Sequence, residues 1–183
     1  MFDSFADLAA AHALNDVAGR SPDGLAERYL YSKDMTYRYA FARWWGGPDV
    51  TQMDGWVLLN PATGDTELRR RPTLERCIAR SRADGRAGVL ILNLFAYRDT
   101  NPKALATAPD PVGPANDVVL AELSAQVART IVAWGGTGAL RGRASRVGAS
   151  LREPFCLGTT GQGQPRHPLY VSGSTPLQPW LQP

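Results

Sequence analysis

The sequence predicts an α/β fold, with helices covering both faces of a mostly parallel central sheet. Three observations carry that expectation. Trp56-Val57-Leu58-Leu59 and the runs 88–92 and 130–134 are short and continuously apolar. Segments with helical spacing alternate with them. Turn residues stop each run: Asn60-Pro61, Asn93 and Gly135-Gly136. Strands that are apolar on both faces and alternate with helices belong in a parallel sheet covered on both sides.

Each element has its own local reason. Residues 2–18 read as a helix, with Asp3 or Ser4 as cap and Phe5, Leu8, Ala9 and His12 at helical spacing. Ser21-Pro22-Asp23-Gly24 is a turn. The aromatic stretch from Tyr29 to Trp45 fits either period. Tyr37, Tyr39 and Phe41 alternate as in a strand, whereas Tyr37, Phe41 and Trp44 suit a helix. Either way its rings are expected in the core. Pro72 opens a helix that Gly85 closes. Residues 100–114 form a loop with four prolines, and Asn116 or Asp117 caps the next helix. Another helix is expected between Gly136 and about Ser150. Residues 155–157 and 169–171 are read as two last short strands.

The chain has 183 residues, the size of one domain. We expect a single α/β domain over 1–183, with a helical and aromatic part (1–50) packed on a core at 51–180. At 44% hydrophobic and 20% charged residues, the composition excludes global disorder and fibrous repeats. No apolar run approaches the roughly 20 residues that cross a bilayer. The N-terminal segment carries Asp3, Asp7 and Asp16 and no basic leader, so no signal peptide is expected. Cys77 and Cys156 are too few for a disulfide framework or a cysteine-ligated cluster. The expectation is a cytoplasmic protein with reduced thiols, no cofactor and no metal.

The net charge is +3, built from 18 Arg and only two Lys, Lys33 and Lys103. Seven of the arginines fall between Arg69 and Arg86. Planar guanidinium forks suit phosphate, so this is a candidate polyanion-facing patch. A solvated helix face explains the same run.

Ligands of open α/β sheets bind beyond the carboxyl ends of the strands. That rule selects Asn60-Pro61, Asn93 and Trp134-Gly135, with His167-Pro168 in the final loop. Asn60 can hold a water or a ligand edge with its donor and acceptor, or simply initiate a turn. Asn93 follows five apolar residues, so its amide sits at the edge of the core. It reads either a group presenting adjacent donor and acceptor, such as a nucleobase edge, or braces a loop. His167 lies in a loop stiffened by Pro165 and Pro168. It is placed either to stabilise a developing oxyanion or to cap a carbonyl. Gly135-Gly136-Thr137-Gly138 lacks the Lys-Ser/Thr of a P-loop and the spacing of a dinucleotide fingerprint.

Six segments, in order, resemble the bacterial domain family numbered 1643 among domains of unknown function. They are Leu58-Leu59-Asn60-Pro61, Pro72-Thr73 with Arg76-Cys77, Asn93-Leu94-Phe95-Ala96, Val112-Gly113 with Asn116-Asp117, Ala133-Trp134-Gly135 and Pro165-Arg166-His167-Pro168-Leu169-Tyr170. More distantly, the same order resembles the uracil-DNA glycosylase superfamily, which implies a three-layer α/β/α sandwich around a central, mostly parallel four-stranded sheet. That resemblance implies that Asn60, in the Asn-Pro motif, positions the hydrolytic water. It implies that Asn93 reads the base and that His167 stabilises the departing base. Pro61, Phe95, Trp134, Gly135 and Pro168 would line the substrate, with Phe95 or Tyr97 stacking on it. Arg69, Arg70, Arg71 and Arg166 would meet phosphates.

The function expected is therefore a nucleobase-recognising N-glycosidase-like protein acting on DNA or a nucleotide. A non-catalytic nucleobase or nucleotide binder is the alternative. A scaffold that uses residues 29–45 as an exposed aromatic face is the third reading.

Overall fold

The computed structural model describes residues 3–62 and 71–182. Its architecture is α/β, with one mixed sheet of eight strands and helices packed on it. The strands are β1 (Asn15–Arg20), β2 (Ala26–Tyr31), β3 (Arg38–Trp44), β4 (Met53–Leu58), β5 (Gly88–Asn93), β6 (Arg129–Val132), β7 (Phe155–Cys156) and β8 (Gln178–Pro179). Across the sheet they run β1-β2-β3-β5-β4-β6-β7-β8. The neighbours β5, β4, β6 and β7 pair parallel, and the flanking strands pair antiparallel. The helices are α1 (Asp3–Ala11), α2 (Pro72–Ala83), α3 (Ala104–Thr107), α4 (Asn116–Ser124) and α5 (Arg143–Gly148).

The N-terminal part departs most from expectation. The helix predicted over 2–18 stops at Ala11, and Ala13 takes a left-handed backbone (φ +52°) before β1 begins. β1 is an edge strand held by its pairing with β2 and by the forked Arg28–Asp16 ion pair (2.7 and 2.5 Å). The aromatic stretch resolves as strands, not helix. Tyr29, Tyr31, Tyr39 and Phe41 are buried and Tyr37, Trp44 and Trp45 half-buried, so most of its rings go into packing rather than an exposed face. Through β3 it extends the parallel strands into the larger mixed sheet.

Two apolar clusters form on the sheet. One packs Phe5 and Leu8 of α1, Val119 and Leu123 of α4, and Val147 of α5 against Val57, Leu90, Leu92 and Val132. The other packs Leu74 and Cys77 of α2 against Phe41, Trp56, Leu58, Val89, Ile91 and Ile131. The alternation of neighbours such as Leu90 and Ile91 between the clusters is the period-two geometry of a strand buried on both faces.

At the amino end of β4, Asp54 is fully buried. Its carboxylate accepts from Arg129 (2.8 and 3.0 Å) and from Ser81 Oγ (2.6 Å), and it lies 3.2 Å from Arg86 Nε. Ser81 Oγ in turn accepts from Trp56 Nε1 (3.1 Å). One carboxylate thus ties α2, β4 and β6 together, at the end of the sheet opposite Asn60 and Asn93.

Two other segments correct the sequence reading. Of residues 169–171, expected as a strand, Leu169 and Tyr170 lie in a 3-10 turn over Pro168–Tyr170 and Val171 follows it, and β8 closes the sheet edge instead. The helix expected from Gly136 to Ser150 is split into a 3-10 segment (Gly136–Gly142) and α5. Among the described residues, no helix is long and apolar enough to cross a membrane.

Candidate functional site

Beyond the carboxyl ends of the parallel strands lies a cavity of about 570 Å³, within the range of small-molecule sites. Asn60, Arg71, Trp134, Gly135 and His167 line it together, although they lie far apart in sequence. Strand order explains this. β4 leads into Asn60, its neighbour β6 leads into Trp134-Gly135, and the final loop lies against that strand end. The Gly135 amide donates to the Pro165 carbonyl (2.9 Å) and so ties that loop to the strand end.

The orientation of Asn60 is set by its surroundings. Its Nδ2 donates to the Asp99 carbonyl (2.8 Å) and to the Pro61 carbonyl (3.3 Å). Both partners are acceptors, so the nitrogen is fixed there and Oδ1 remains as the acceptor for a ligand or a water.

His167 caps the 3-10 turn that follows it. Its Nδ1 accepts from the Leu169 amide (3.3 Å), which assigns the proton of the neutral ring to Nε2. Burial pushes its pKa down from the ordinary value near 6.5. The ring is therefore a neutral Nε2–H donor, tilted against Tyr170 with centroids 5.5 Å apart. Protonation favours the unfolded chain here. The stability this burial implies is present at neutral pH and is lost as pH falls through 6.5 towards the lowered value. In an NMR titration, the imidazole signal absent from His167→Gln should have its midpoint below 6.5; a higher midpoint would contradict this environment.

Trp134 is held by donation from Nε1 to Gln164 Oε1 (2.9 Å) and by edge-on packing against Trp180 (5.2 Å). A Cβ on Gly138 would lie 1.9 Å from Trp134 Cδ1, so only glycine fits beneath this ring. The Gly-rich segment therefore serves close packing as well as the turn.

Asn93 does not itself line the cavity. It is 1% exposed, at the end of β5. Its register partner Leu58 lines the cavity, as does Ile91 two residues earlier, so strand alternation puts Asn93 on the cavity face. Neither Nδ2 nor Oδ1 has a hydrogen-bond partner. Loop bracing, the bland alternative for this residue, is done by others: Asn116 Nδ2 donates to the Asn93 and Leu94 carbonyls (3.1 Å each), and Arg143 Nε donates to the Leu94 carbonyl (2.7 Å). A buried amide without partners costs about 1–3 kcal/mol. Asn93→Leu, similar in size, is accordingly expected to stabilise the ligand-free protein by about that amount in urea unfolding. A loss of stability would contradict the orphaned amide.

Other expected site residues lie elsewhere. Phe95 is enclosed in the main core, and Tyr97 packs edge-on with Tyr37, so neither supplies a ring to the cavity. Pro61 and Pro168 are buried beside lining residues without lining it themselves. Arg166 is exposed, with Nε on the Thr159 carbonyl (3.0 Å), away from the lining. Arg69 and Arg70 lie outside the described residues. Of the basic cluster, Arg71 reaches the cavity, directly before α2.

Several lining residues had no signal in the sequence that set them apart. Arg38 and Phe41 come from β3, inside the ambiguous aromatic stretch. Tyr170, 80% exposed, comes from the turn that was expected as a strand. The alternation of Tyr37, Tyr39 and Phe41 could have placed β3 in the sheet, but not beside this cavity.

Searches among curated proteins and among solved structures give no match. A family model does match, over residues 38–169, from the first residue of β3 to the turn after His167. That span contains every described lining residue except Tyr170. The chain belongs to the family described as protein of unknown function, DUF1643.

Proposed function

We propose that the cavity binds a nucleobase-bearing ligand and that the protein is an N-glycosidase, hydrolysing an N-glycosidic bond in DNA or a nucleotide. The observation that carries this reading is the convergence of Asn60 and His167 on one cavity, with the buried, unpartnered amide of Asn93 on the same sheet face by strand alternation. The parallel order β5-β4-β6-β7, with α2 on one face and α1, α4 and α5 on the other, supports a sandwich like that of uracil-DNA glycosylases.

In this reading Asn60 Oδ1 orients a water towards the anomeric carbon. The water oxygen bonds to that carbon, the carbon–nitrogen bond breaks, and its electron pair leaves on the base. His167 Nε2–H donates to the charge that develops there. The proton shed by the water ends, through solvent, on the released base. Asn93, covered in the ligand-free protein, reads the base edge once ligand entry uncovers it, Arg71 meets a phosphate, and a base in duplex DNA is flipped out of the stack to enter.

The test is release of free base from a panel of damaged or modified DNA and nucleotides. Wild type is expected to release base and Asn60→Ala to lose that activity; equal release by both would overturn the role of Asn60. A second reading, binding without turnover, is favoured by one observation. No Asp or Glu is among the described lining residues, so no carboxylate there takes a proton from water. Binding across the panel without base release would select it.

A further inference from the structure

We infer that one end of the cavity is a phosphate subsite built by Arg38, Arg71 and the first turn of α2, so that the ligand is a nucleobase carrying a phosphate rather than a free base. This inference rests on the nucleobase reading above and names the substrate class for the same cavity.

Two guanidiniums from separate elements approach one ring of the cavity wall. Arg38 lies on β3, and Arg71 directly precedes α2. Their guanidinium carbons stand 5.7 and 5.6 Å from the centroid of the same ring, Phe41, and all three residues line the cavity. A third guanidinium on that ring, Arg43 at 5.9 Å, is ion-paired with Glu27 and does not line it. A guanidinium carries five N–H donors in a planar fork, so it holds a protein partner and a phosphate at once. An anion between two such cations is attracted by both, and more strongly beside a buried wall than in water.

Helix α2 adds to the same end. It has twelve residues, and its first turn, Pro72 to Leu74, lines the cavity. Arg71 at the N-cap makes no side-chain capping bond to it, and Pro72 has no N–H to satisfy. The amides of this turn carry the positive end of the helix dipole, which favours an anion.

Strand order gives the subsite its distance from the chemistry. Arg38 on β3, Asn93 on β5, Asn60 after β4 and Gly135 after β6 follow one another across the sheet. Three strand spacings separate β3 from β6, about 14 Å. The orphaned amide of Asn93 lies between the guanidinium end and Asn60. A base alone does not span that length, and a base with its sugar and phosphate does.

The experiment is calorimetric titration of the full chain with free nucleobases, their nucleosides, the nucleoside 5′-monophosphates, a single-stranded oligodeoxynucleotide and inorganic phosphate. The monophosphate is expected to bind at least tenfold more tightly than its nucleoside, with the gain shrinking as salt is raised. Arg38→Gln and Arg71→Gln should each cut that gain, read as the nucleotide-to-nucleoside affinity ratio. Arg71 is the more exposed of the two and tests the idea should Arg38→Gln fail to fold. If the oligonucleotide outbinds the mononucleotide, the phosphate belongs to a strand; the reverse assigns it to a free nucleotide. Equal affinity for nucleoside and monophosphate, or a gain untouched by both substitutions, overturns the subsite and leaves the nucleobase reading standing. Arginine-dependent binding of inorganic phosphate without binding of any base keeps the subsite and overturns that reading. No binding by any probe overturns both.

Discussion

Replacing Asp54 by Ala is expected to lower folding stability by about 3 kcal/mol. Removing one member of a buried ion pair typically costs 3–5 kcal/mol, because the partner is left uncompensated. The lower end applies here, since Arg129 and Arg86 are partly exposed and Arg129 also meets Asp84. The carboxylate satisfies Ser81 as well, whose hydroxyl accepts a hydrogen bond from the Trp56 indole N–H. Its loss therefore disturbs α2, β4 and β6 together. Equilibrium urea unfolding measures the change. Asp54→Asn, which keeps the shape and removes the charge, separates the ion pair from the packing. A change below 1 kcal/mol for both variants would show that the network contributes no more than a surface pair.

His167→Ala is expected to slow base release by about 10²–10³-fold, the loss found when one preorganised donor to a developing oxyanion is removed. The sign follows from the tautomer. Nδ1 is committed to the Leu169 amide, so Nε2 holds the proton, and a pKa lowered by burial keeps the ring neutral at pH 7. His167→Gln retains a donor and should recover part of the rate. Single-turnover rates on the most reactive panel substrate measure the change. Rates for His167→Ala within twofold of wild type would remove the imidazole from the mechanism.

The parallel strands were legible through their continuously apolar runs, stopped by turn residues. Val89, Leu90, Ile91 and Leu92 read as strand for the same reason that they are buried: both faces of β5 are covered. β1 was not legible. Its sequence, NDVAGR, has no apolar alternation, because it lies at the sheet edge and is held by long-range pairing with β2. Residues 169–171 misled for a related reason. Leu169 and Tyr170 are apolar yet exposed, so their character reflects a surface by the cavity rather than a buried strand.

The site was legible to the extent that strand ends dictate it. Asn60, Trp134 and Gly135 were selected by the carboxyl-end rule and His167 by its proline-stiffened loop, and they line one cavity. Phe95, which the resemblance offered as a stacking ring, does not face the cavity. One residue past Leu94, its ring turned into the core, and sequence position alone does not tell which way a chain turns after a strand. Arg38 was hidden because a β-bulge shifts the β2–β3 register, with Leu30 opposite Ala40 and Tyr31 opposite Arg38.

A crystal structure of the protein soaked with nucleobases and nucleoside 5′-monophosphates tests the central claim most directly. The account predicts a planar heterocycle within hydrogen-bond distance of the Asn93 amide and of His167 Nε2, with Asn60 Oδ1 facing the sugar. A heterocycle bound on another face of the molecule, or one in the cavity that leaves the Asn93 amide without a partner, would contradict it.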